Sequence, residues 1–66
     1  MNYFHVQIEF YRRGRLQDIT RYIKTDMNRT EALIDQLERE AIDLELISAS
    51  ISPSCKFEYE QEHSQI

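Results

Sequence analysis

Tryptophan is absent from this chain of 66 residues, and cysteine, glycine and proline occur once each. A lone Cys55 excludes an intramolecular disulfide. Small extracellular domains usually carry several, so the cytoplasm is the expected compartment. A single glycine makes a glycine-rich phosphate cradle improbable and leaves Gly14 as the natural site for a tight turn. No apolar run approaches the roughly 20 residues of a membrane span. Met1–His5 has neither a basic nor an apolar stretch, so no secretory signal is expected.

What is present suits one small globular domain. Hydrophobic residues make up 41% and charged residues 30%, which is neither disordered nor membrane composition. A chain this short buries only about 60% of the surface it exposes when unfolded, so the core is thin and a partner would help. The net charge of −4 is unevenly spread. Up to residue 30 six basic residues face three acidic ones, a net +3; from residue 31 two basic residues face nine acidic ones, a net −7. Such asymmetry bears on partners and self-association.

Residues 3–11 alternate strictly, with Phe4, Val6, Ile8 and Phe10 on one face and Tyr3, His5, Gln7, Glu9 and Tyr11 on the other. That is the period of a strand. A two-residue loop at Arg13-Gly14 would set Ile8 against Ile19, Phe4 against Ile23 and His5 against Tyr22. The same register puts Arg21 on the core face opposite Val6 and Glu9 opposite Asp18, flaws that a longer loop or a bulge would cure. Leu16, Ile19, Tyr22 and Ile23 also fit helical spacing, but Ile, Thr and Tyr favour a strand.

A helix follows, capped by Asn28 with Glu31 closing a capping box, and ending near residue 43. Leu33, Ile34, Leu37, Ala41 and Leu44 form its apolar stripe, and Asp35 with Arg39 its i,i+4 pair. Residues 45–51 read as a third strand, with Ile47, Ala49 and Ile51 opposed to Leu46, Ser48 and Ser50. Pro53 breaks it, and 55–60 alternate again as a fourth. The expected fold is α+β, a two-layer sandwich with one amphipathic helix on a small antiparallel sheet, in the order β-β-α-β-β. Residues 1–60 form the domain and 61–66 a flexible polar tail. The expected core is Phe4, Val6, Ile8, Phe10, Ile19, Ile23, Leu33, Ile34, Leu37, Ala41, Leu44, Ile47, Ile51 and Phe57.

No arrangement of reactive side chains marks an enzyme. His5, Cys55 and His63 have no paired ligand spacing, so neither a metal nor a cofactor is expected. No nucleophile motif accompanies Cys55, which reads as a packing residue. The carboxylates of the helix, Asp35, Glu38, Glu40 and Asp43, form a uniformly solvent-facing acidic face rather than two carboxyls in contrasting environments. Three surfaces remain. Tyr3, His5, Tyr11, Leu16 and Tyr22 share the outer sheet face, where tyrosines suit an interface. Arg12, Arg13 and Arg15 make a basic hairpin able to track phosphates. The acidic helix face could dock on a basic partner. The expectation is a small non-enzymatic interaction or regulatory protein, a homodimer binding another macromolecule through protein contacts. Nucleic-acid binding by the hairpin is the alternative, and no membrane is involved.

Overall fold

The hairpin is built as the alternation predicts. A computed structural model describes residues 1–40 and 45–63. Strand β1 (Asn2–Arg12) pairs antiparallel with β2 (Arg15–Thr25), Ile8 facing Ile19, Phe4 facing Ile23 and His5 facing Tyr22. The loop is Arg13-Gly14, with φ of 55° and 77°. Two positive φ values in a two-residue loop give the turn whose twist matches the strands it joins. A Cβ on Gly14 would meet nothing within 4 Å, so the demand there is conformational rather than steric.

Neither a longer loop nor a bulge corrects the two mismatches of this hairpin; Val6 faces Arg21 and Glu9 faces Asp18. Other elements relieve them. Arg21 reaches Glu40 at the end of helix α1 (Arg29–Glu40), Nε to Oε1 3.3 Å. The Ser48 hydroxyl donates to Glu9 at 3.2 Å from strand β3 (Glu45–Pro53).

Helix α1 starts where the sequence places it. The Glu31 amide donates to Asn28 Oδ1 at 2.9 Å, and the Asn28 amide donates to Glu31 Oε1 at 3.4 Å, a reciprocal cap. Arg39 donates to Asp35 at 2.9 Å one turn away. The expected helix end near 43, together with Asp43, Ala41 and Leu44, lies outside the described residues.

Strand β3 pairs antiparallel with the other side of β1, giving a three-stranded sheet in the order β2-β1-β3. Its register shifts between Glu9 and Phe10: Ser48 faces Glu9 but Leu46 faces Phe10, so Ile47 is the extra residue of a bulge. Leu46 therefore lies opposite a core residue, not on the row of Ser48 and Ser50 as simple alternation suggested.

The fourth strand expected at 55–60 is instead a second helix, α2 (Lys56–His63), and the order is β-β-α-β-α. The segment is rich in good helix formers, Lys56, Glu58, Glu60, Gln61 and Glu62. At its first turn Glu58 accepts from the Ser54 hydroxyl at 2.7 Å and the Cys55 thiol at 3.8 Å. Gln61, Glu62 and His63, expected in a polar tail, are its last turn.

Val6, Ile8 and Phe10 on the central strand form the buried core, with Phe4 and Ala32 also buried. Ile19, Ile23, Leu33, Leu37, Ala49 and Ile51 pack around it. Three expected core residues stand out in solvent instead: Ile34 (51% exposed), Ile47 (48%) and Phe57 (69%). Phe57 is displaced because its segment is helical. Ile47 is displaced by the bulge, and Ile34 lies on a flank of α1.

Candidate interaction surfaces

The outer sheet face is divided by α2. Tyr59 meets Tyr3 edge-on with ring centroids 5.6 Å apart, and it packs on His63 at 4.3 Å. His63 Nε2 lies 2.9 Å from the Tyr22 carbonyl oxygen, a contact that makes Nε2 the proton-bearing nitrogen. His5 stacks on Tyr22 across the hairpin at 4.7 Å. Tyr3, His5 and Tyr22 are thus half-buried in contacts within the chain. Tyr11 and Leu16, paired at the far end of the same face, stay exposed. The sequence did not single out Tyr59, because reading its segment as a strand hid its role.

The hairpin end is basic and costly to the chain. Arg12 faces Arg15 directly, and like charges in register destabilise a strand pair. Arg13 takes a left-handed φ that a side chain with a Cβ resists. Among the described residues, none of Arg12, Arg13 and Arg15 has a carboxylate within ion-pair distance; the two such pairs are Arg21–Glu40 and Arg39–Asp35. Glu45 lines the same shallow surface as Tyr11, Arg12 and Arg13.

The acidic helix face is partly neutralised. Asp35 and Glu40 hold Arg39 and Arg21, while Glu38 is exposed and makes no ion pair among the described residues. A cleft of about 290 Å³ runs between α1 and α2 along β2, lined by Lys24, Asp35, Arg39, Tyr59 and His63 among others. No set of three or more His, Cys, Asp or Glu side chains among the described residues could hold a metal ion. Cys55 is exposed rather than packed. No helix among the described residues is long and apolar enough to cross a membrane.

The two sheet edges differ. In a two-residue hairpin the residues flanking the turn form a hydrogen-bonded pair, here Arg12 with Arg15, and the pattern alternates from there. Even-numbered residues of β1 therefore bond to β2 and odd-numbered ones to β3. The Ser54 amide donating to the Tyr3 carbonyl at 2.9 Å continues the second ladder. The outward backbone groups of β2 then belong to Leu16, Asp18, Thr20, Tyr22 and Lys24, and His63 meets one of them. Those of β3 belong to Ala49 and Ile51, opposite Ile8 and Val6. Strand β2 carries Arg15, Asp18, Arg21 and Lys24; β3 carries no charge from Leu46 to Pro53. Charged side chains are the usual guard of an edge, so β2 is guarded and β3 is not.

The helix above β3 adds apolar surface. Ala32, Asp35, Gln36 and Arg39 line the cleft on the β2 side of α1. Helical rotation sets Ile34 on the opposite side, toward β3. Ile34, Leu46 and Ile47, each about half exposed, thus belong to the β3 side of the molecule.

No protein family, curated protein or solved structure matches the chain.

Proposed function

We propose that this is a small non-enzymatic interaction protein that works as a homodimer and binds another macromolecule. The carrying observation is the apolar β3 side: Ile34, Leu46 and Ile47 are exposed beside an edge strand that bears no charge after Glu45. Exposed apolar residues gathered on one side signal an interaction surface more strongly than the same residues scattered singly. The thin core makes burial there valuable: five residues are buried among those described. The partner macromolecule would meet the outward face of α1. There Glu38 is exposed, while Asp35 shares its charge with Arg39 and Glu40 turns toward Arg21 on the sheet.

Light scattering on a sizing column tests the dimer. The expected mass is twice the 8.0 kDa of the chain, retained in high salt because the surface is apolar. A monomer at high micromolar concentration would contradict the reading.

A second reading, nucleic-acid binding by the hairpin, is favoured by a separate observation. Arg12, Arg13 and Arg15 tolerate a like-charge pair and a left-handed φ without an ion-pair partner among the described residues. It predicts that Arg13→Ala and Arg15→Ala weaken binding to any sequence and flatten its salt dependence. Absence of a gel shift at low salt would remove it.

A further inference from the structure

We infer that the second copy joins along β3, antiparallel, with the two-fold axis at Ala49, so that two sheets become one of six strands. This deepens the homodimer reading and rests on it.

The outward backbone groups select the register. Ala49 and Ile51 face away from β1, and Ile47 is next along the edge beyond the Ser48 that faces Glu9. A two-fold through Ala49 makes the two Ala49 residues a hydrogen-bonded pair and sets Ile47 of each copy against Ile51 of the other. Pro53, which has no amide to offer, terminates the ladder at one end, and the bulge at Ile47 terminates it at the other. The side chains agree with the backbone. Ala49 and Ile51 belong to the packed core side, where the apolar Ile47 of the other copy extends the same layer. Ser48, Ser50 and Ser52 are small and uncharged on the outer row.

Charge distinguishes this joint from the alternative. In a pairing of β2 with itself, the charged side chains Arg15, Asp18, Arg21 and Lys24 would be drawn into the joint, and His63 would have to leave the Tyr22 carbonyl. In the β3 pairing Leu46 to Ser52 meet no charge. Glu45 falls opposite Pro53 of the other copy, on the side from which that copy's Lys56 begins α2. Helix α1 packs on β1 and β3, so the two α1 helices flank the axis with Ile34 on their facing sides.

Paired nitroxide labels test the register. In a Cys55→Ser background, Ser50→Cys and Thr20→Cys place labels in one row of the sheet, since both positions face Gln7. With strands about 4.8 Å apart, the β3 strands are neighbours and the β2 strands about 24 Å apart. Ser50 labels are expected to broaden each other's spectrum, and Thr20 labels are not. The reverse result would place the joint at β2 and overturn the inference, as would a protein dimeric by mass in which neither label pair is close. A protein monomeric by mass would instead remove the homodimer reading itself. Ile47→Lys, at a half-exposed position, is expected to weaken dimerisation at least tenfold while the circular dichroism of the fold persists. Undiminished dimerisation in that variant also overturns the inference.

Discussion

Replacing Ile8 by alanine should come close to unfolding the protein, whereas replacing Phe57 should hardly be felt. Ile8 lies in the middle strand, 1% exposed, with Ile19 on one side and Ala49 on the other. Its truncation removes buried methyl and methylene groups worth about 0.8 kcal/mol each and leaves a cavity, for a loss of about 2–5 kcal/mol. A chain of this length has a total stability on the order of 3–10 kcal/mol. A loss of about 3 kcal/mol corresponds to a drop in Tm of roughly 20 °C for so small a domain. Phe57 is 69% exposed on α2, so Phe57→Ala should cost no more than about 0.5 kcal/mol. Thermal unfolding followed by circular dichroism, at one fixed protein concentration, measures both. A larger loss for Phe57→Ala than for Ile8→Ala would refute the reasoning and restore Phe57 to a core strand.

Three further outcomes follow from named contacts. Asn28→Ala should cost about 1 kcal/mol in urea unfolding, since it removes one arm of the reciprocal cap with Glu31. Arg13→Asn should raise stability by a few tenths to about 1 kcal/mol, because asparagine tolerates the left-handed φ of 55° better and the change removes one of three clustered positive charges. Tyr59→Ala should release α2, which meets the sheet through Tyr59 on Tyr3 and His63 on Tyr22. Hydrogen exchange in 56–63 would become fast while β1 keeps its protection.

Much of the fold was legible because local rules agreed with one another. The alternation of 3–11, the turn demand met by Gly14 and the match of Ile8 with Ile19 all specify one hairpin register. Asn28 with Glu31 fixed the helix start in the same way. The apparent flaws at Arg21 and Glu9 were real mismatches within the hairpin. Their remedy lay in Glu40 and Ser48, residues distant in sequence that no local pattern could pair. The bulge at Ile47 was hidden for the same reason, since it depends on how β3 meets β1. The segment after Pro53 misled because Cys55, Phe57 and Tyr59 alternate over too short a span to separate strand from helix. Its glutamates and the Cys55–Glu58 spacing were the helical signal. Of the outer-face residues, Tyr3 and Tyr22 turned out to meet α2, which follows from that segment being a helix, while His5 stacks on Tyr22 as the hairpin register sets them. Tyr11, Leu16 and the three arginines remain on the surface.

The central claim is that this thin fold gains stability from a second copy, and the dependence of Tm on protein concentration tests it most directly. For a native dimer each tenfold rise in concentration adds about 1.4 kcal/mol to apparent stability, so Tm should climb by several degrees between about 1 μM and about 100 μM. The slope should flatten in Ile47→Lys. A Tm that stays constant over that range in the wild-type chain would contradict the account.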